Sequence, residues 1–214
     1  MSGTERGKLV IGSIPTVARY FLPTCLASFN RTFPQIRVTV VEEFTTDLLD
    51  RLEGGVIDLA LLALPVAGSN FLCQEVLRER LYVVVPRDHR LAKQTSIHLK
   101  HVENDPFLLL KEGHYFRDNT LSACGRARLD PNVVFESGQF TTILAMVRRH
   151  RCFGSAAYGS RAAPGMPFIP LADEGAFRRV GIVQLKQHFR SRAHQAFLST
   201  SNKPPPRSIP TKTS

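Results

Sequence analysis

Four cysteines, Cys25, Cys73, Cys124 and Cys152, are the residues of this chain best suited to redox or metal chemistry. None forms a C-x-x-C pair, the arrangement that structural zinc sites and dithiol switches use. His98 and His101 could share one helical face, but they flank Lys100 in a polar connection, which reads as solvated surface in preference to a metal site. No G-x-S-x-G elbow, Walker A loop, G-x-G-x-x-G or H-E-x-x-H is present. No enzyme class is signalled, and no cofactor is expected. What remains is a set of hydroxyls. Thr16, Thr45 and Thr46 fall where apolar runs hand over to helical patterns. Their hydroxyls and the nearby N–H groups could hold a small polar or anionic ligand, or could simply cap helices. Ser137-Gly138-Gln139, ahead of a helix predicted from Phe140, offers a similar turn.

The elements that must position these residues alternate. Leu9 to Ser13 is a short apolar run followed by an Ile14-Pro15-Thr16 turn. Tyr20, Phe21, Leu22, Leu26, Phe29 and Phe33 recur at helical spacing, with Pro23 tolerable only in a first turn and Pro34 closing the helix. Arg37 to Glu42 alternates as a strand does. Thr45 reads as an N-cap, Asp47 as a first-turn acid, and Leu48, Leu49 and Leu52 as an apolar stripe ended by Gly54-Gly55. Val56 to Leu64 is nearly all apolar, as a strand buried on both faces should be. This order predicts a parallel sheet with helices on both sides and ligands beyond the strands' carboxyl ends.

Later elements follow a strand over Leu81–Pro86. Strands are expected at Phe107–Lys111, Val133–Glu136 and Val180–Leu185, with helices over Arg117–Arg128, Phe140–Val147 and Ser191–Leu198. Residues 199–214, with three consecutive prolines, read as a disordered tail. There is no internal repeat, no run near the ~20 apolar residues of a membrane span, and no visible secretory signal.

Charge separates the chain into two parts. Of 28 Lys+Arg and 18 Asp+Glu, residues 1–147 hold 16 of each, so the net +10 lies wholly after residue 147. A basic nucleic-acid binder is therefore an alternative that rests on the last third alone.

Gly12-Ser-Ile-Pro-Thr-Val-Ala-Arg-Tyr-Phe-Leu-Pro23, Phe29 to Pro34, and Asp47-Leu-Leu-Asp-Arg-Leu-Glu-Gly-Gly-Val-Ile-Asp-Leu-Ala-Leu61 together resemble the effector-binding domain of LysR-type transcriptional regulators. Val85-Pro-Arg-Asp-His-Arg-Leu-Ala92 fits that family's passage into a second lobe. The likeness runs over residues 7–147 and 168–198. Ile14-Pro-Thr16 and Leu109 to Asp118 most resemble the peroxide-sensing OxyR branch. That branch has its peroxidatic cysteine where this chain has Tyr115, and its resolving cysteine where this chain has Cys124. A phenol forms no sulfenate, so a thiol–disulfide switch would lack its attacking partner, and Cys124 is expected to be packing.

The resemblance implies an α/β fold of two Rossmann-like lobes joined by crossover strands, like type 2 periplasmic binding proteins. The first lobe would be 8–85 plus 181–198, and the second 86–180. It implies an effector site in the cleft, with Thr16 and Thr45 from the first lobe and His114, Arg117, Gly138 and Gln139 from the second. Arg117 would meet a ligand carboxylate, or else pair with a nearby acid. It further implies a small-molecule effector, a homodimer or tetramer in the cytoplasm, no membrane partner, and DNA contact only through an N-terminal domain that these residues do not include. A free-standing solute-binding protein of the same fold is a further alternative, as is a defective product without activity.

Residues 148–167 depart from the family. They hold four arginines where small residues and an apolar strand are usual. Back-translated into GC-rich codons and read one nucleotide later, they give the glycine- and alanine-rich family text. A frame slip restored near Phe168 is the expected origin, and the coding DNA tests it. The segment is expected to be irregular and at a sheet edge.

Overall fold

The structure is a computed structural model, and it describes residues 6–111, 115–149, 153–157, 166–187 and 191–201. Two compact units divide the chain: Met1–Leu77 with Val180–Ser214, and Arg78–Arg179. The fold is mixed α/β throughout.

In the first unit, β1 (Gly7–Ser13) lies between β2 (Ile36–Glu42) and β3 (Leu59–Leu64), parallel to both. All six residues of β3 are buried, as its unbroken apolar sequence requires. Asp58, just before β3, stitches it to β1: the Val10 N–H donates to Asp58 Oδ2 at 2.7 Å, and the Asp58 N–H to the Val10 carbonyl at 2.9 Å. A four-residue helix, α1 (Pro15–Ala18), stands where a simple turn was expected. Next, α2 (Leu22–Thr32) carries Pro23 within its first two positions, where a missing N–H costs nothing. Phe29 of α2 is fully buried, with Phe33 and Phe197 at ring centroids of 5.2 and 5.3 Å. Phe197 belongs to α6 (Arg192–Ser201), so the end of the chain completes the core laid down by its start. In α3 (Thr45–Glu53), Leu48 and Leu52 are buried, Asp47 occupies the first turn, and Gly54 and left-handed Gly55 (φ 67°) end the helix.

Two strands carry the chain between units: β4 (Phe71–Val84) outward and β9 (Phe177–Leu185) back, hydrogen-bonded as neighbours. In the second unit, β5 (Phe107–Leu110) is flanked by β6 (Val133–Ser137) and β7 (Phe153–Ala157), parallel to both. The far side of β7 pairs antiparallel with Leu81–Val84, which also meet β8 (Phe168–Pro170). All four residues of β5 are buried, and they pack with Cys124 of α4 (Tyr115–Arg126) and Ile143 and Val147 of α5 (Phe140–Arg149).

The segment 148–167 departs from expectation in one respect. It is not wholly irregular at an edge: α5 continues to Arg149, and Phe153–Ala157 forms β7, paired on both sides. Gly154, Ser155, Ala156 and Ala157 carry no hydrophobic period, so no strand is legible there. The ladders of β4 and β5 supply what the side chains do not.

Candidate functional site

The carboxyl ends of the parallel strands place the sequence-predicted hydroxyls. Ser13 of β1 pairs with Glu42 of β2. Thr16 and Thr45 each lie three residues beyond that pair, in the first turns of α1 and α3. Thr45 is not the N-cap. Phe44 takes that position without a side-chain cap bond, and Thr45 is the first helical residue. Its side chain is thereby turned inward: Thr45 is 2% exposed, and its Oγ1 has no hydrogen-bond partner among the described residues. Thr46 beside it is exposed.

In the second unit, Ser137 ends β6 and accepts the Lys111 N–H on its carbonyl at 2.9 Å, joining the ends of β5 and β6. Its Oγ accepts the Gln139 N–H at 3.1 Å. The Gln139 carbonyl accepts from Thr142 and Ile143 at 3.1 and 3.3 Å, opening α5. Among the described residues, nothing lies within 4 Å of where a Gly138 side chain would begin. Arg117, in the first turn of α4, donates from Nε to Glu136 Oε1 at 3.0 Å. Sequence reasoning left Glu136 out of the site; its place one residue before the Ser137 turn was the available signal. His114 lies outside the described residues, as does Cys152.

The three cysteines among the described residues have thiols that hold their protons. Cys124 is fully buried in α4, and burial, with the Asp173 carboxylate adding to it, pushes the thiol up to about 11. Burial likewise raises Cys25 to about 11 and raises the exposed Cys73. At neutral pH the thiol is the overwhelming form, and the thiolate is the reactive one. His98 and His101 flank a 3-10 turn, Leu99–Val102, in which the His98 N–H donates to His101 Nδ1 at 3.2 Å. Asp173 accepts the Leu99 N–H at 2.8 Å and faces His98 Nδ1 at 3.5 Å. A cavity of about 310 Å³ is lined by Asp88, His89, Arg90 and Asp105. Its groups engage each other: Arg90 pairs with Asp105 at 3.0 Å, and His89 Nε2 stands 3.6 Å from the same carboxylate.

Two α/β units, joined by two strands and bearing polar turns beyond the carboxyl ends of parallel strands, define a ligand-binding protein of the α/β class. Residues 2–202 match the LysR substrate binding domain, and the chain belongs to that family. A hydrogen peroxide-inducible genes activator of Pectobacterium carotovorum subsp. carotovorum is 31% identical over 144 residues, 67% of this chain and 48% of that protein. The transcriptional dual regulator GltC of Bacillus subtilis is 29% identical over 193 residues, 85% of this chain and 62% of the relative. The chain thus spans about half of the first relative and less than two-thirds of the second. Both are transcriptional regulators, not enzymes. The reduced OxyR regulatory domain from Pseudomonas aeruginosa has a TM-score of 0.81 at 28% identity, covering 92% of this chain and 98% of its own. The effector binding domain of QuiR in complex with shikimate has a TM-score of 0.84 at 19% identity, covering 92% of this chain and 96% of its own, a likeness of fold. The fold is the type 2 periplasmic-binding-protein-like fold of these domains.

Proposed function

We propose that this chain is the ligand-sensing regulatory domain of a LysR-type transcriptional regulator, responding to a small anionic molecule. The effector contacts are Thr16 and Thr45 from the first unit and His114, Arg117, Gly138 and Gln139 from the second. The domain works as a cytoplasmic homodimer without catalytic activity, and DNA is contacted by the portion of the regulator that its relatives have beyond this domain. The observation that carries the reading is the Thr45 hydroxyl, buried at the carboxyl end of the sheet without a partner among the described residues. A buried hydroxyl left unsatisfied is costly, and a ligand oxygen would supply the missing bond. Arg117 supports the anionic class, since a guanidinium binds a carboxylate in two parallel hydrogen bonds.

Tyr115 and the protonated, buried Cys124 argue against peroxide sensing by a disulfide. Thermal unfolding in the presence of small carboxylates, shikimate and benzoate among them, tests the proposal. A ligand at 100 times its Kd stabilises by about 2.7 kcal/mol. That gain should vanish in Thr45→Val and fall to about half in Arg117→Ala, whose binding is about tenfold weaker. Stabilisation that is undiminished in both variants refutes the assignment. Peroxide treatment that yields a Cys124 disulfide refutes the exclusion of redox sensing.

A further inference from the structure

We propose that Glu136 is a built-in competitor for the effector's carboxylate: it holds Arg117 in the free protein and so sets the effector concentration to which the domain responds. This rests on the reading of Arg117 as the ligand's partner. Glu136 stands opposite Leu109 near the carboxyl end of β6, one residue before the Ser137 turn, and reaches across to the first turn of α4. There its Oε1 accepts from Arg117 Nε at 3.0 Å, the one hydrogen bond that this guanidinium makes among the described residues.

The contact is built to be replaced. A guanidinium and a carboxylate bind best through two parallel hydrogen bonds, and this pair makes one. Both side chains also meet water, Arg117 at 25% and Glu136 at 36% exposure. Their attraction is therefore screened, and a displaced Glu136 is solvated where it stands. The contact is still strong enough to matter to a ligand. It neutralises Arg117, and the Glu136 charge repels a second anion at the same guanidinium. A ligand carboxylate that places both oxygens on Arg117 gains two bonds for the one it breaks. An anion with a single acceptor merely exchanges one bond for another.

Calorimetric titration with benzoate and its neutral analogue benzamide tests the competition. Glu136→Gln keeps the shape and removes the charge, whereas Glu136→Ala removes the contact altogether. Each should fold with a thermal midpoint near that of the wild type, since the pair is part-exposed. Each should bind benzoate about three- to fivefold more tightly, the factor set by the strength of an exposed ion pair, with benzamide gaining nothing. The benzoate-to-benzamide ratio then rises by that factor, which a general loosening of the turn would not produce. Benzoate affinity that is unchanged or weaker in Glu136→Ala overturns the proposal, because Glu136 would then support Arg117 instead of competing for it. Equal tightening of both probes overturns it too. Those two results leave the effector site standing. Benzoate binding that Arg117→Ala leaves intact, or no benzoate binding by any of these proteins, removes the site itself and the competitor with it.

Discussion

Replacing Thr45 with valine should stabilise the ligand-free protein while abolishing its response to effector. The substitution keeps the shape and the β-branch, so the start of α3 loses no helix preference. It removes a hydroxyl that is 2% exposed and has no partner among the described residues. Burying a hydroxyl without a hydrogen bond costs about 1–3 kcal/mol by mutational measure. The extra buried methyl is worth a further fraction of the ~0.8 kcal/mol of a methylene. Taking a gain of roughly 1–2 kcal/mol and about 2–4 °C per kcal/mol for a domain of this size, the midpoint should rise by roughly 2–8 °C. Scanning calorimetry on the free protein measures it, with Thr45→Ser as the control that keeps the hydroxyl and loses only packing. An unchanged or lowered midpoint in Thr45→Val would mean that Oγ1 is already hydrogen-bonded, and the argument for a waiting ligand would collapse. A raised midpoint with full effector response would leave the packing account standing and sink the site assignment.

Gly181→Ala should cost roughly 1–3 kcal/mol, because the new methyl would sit 2.7 Å from Leu64 Cδ1 and 2.9 Å from the Gln74 carbonyl oxygen. Gly138→Ala, with nothing within 4 Å of the same position among the described residues, should leave the unfolding free energy from urea titration within about 0.5 kcal/mol of wild type. Arg117→Ala breaks a part-exposed pair with Glu136 and should change stability by no more than about 1 kcal/mol, yet weaken carboxylate binding about tenfold in calorimetric titration. A disulfide-exchange reagent should label exposed Cys73 before Cys25 or Cys124. Cys25 and Cys124 hold their protons to about pH 11 when folded, against an ordinary thiol value of 9.0. Their contribution is therefore complete below pH 9 and lost as pH rises through 11, and urea midpoints should fall across that window.

The elements legible in the sequence are those whose pattern and packing agree. The β3 run could only be a strand buried on both faces, and the Phe29 stripe with Pro23 in its first turn could only open a helix. β4 was read from Leu81 onward, whereas it begins at Phe71. Gln74, Glu75, Arg78 and Arg80 hide the alternation there, and Glu79 hides it most, since a charge on the buried face contradicts the apolar period. For β7 the signal is absent altogether. At the site, the strand ends pointed to Thr16 and Thr45, but whether Thr45 caps or faces inward depends on where Phe44 turns, which no local pattern records. The pairing of Glu136 was hidden for a related reason. Its partner Arg117 is 19 residues away on another element, and the tie appears only once β6 and α4 are packed.

The discontinuity of both units bears on how the chain is made. During synthesis the first unit must wait for β9 and α6, beginning at Val180, before Phe29 meets Phe197. The second cannot join Leu81–Val84 to β5 until Phe153–Ala157 has been produced. Contacts this distant in sequence slow folding, because the loops between them must close first. For most of translation the parallel core of β1, β2 and β3 therefore lacks β9, the neighbour that covers the free edge of β3, and exposed edges of this kind favour aggregation. Truncation before α6 should accordingly yield insoluble protein, even though every residue of the predicted effector site would still be present.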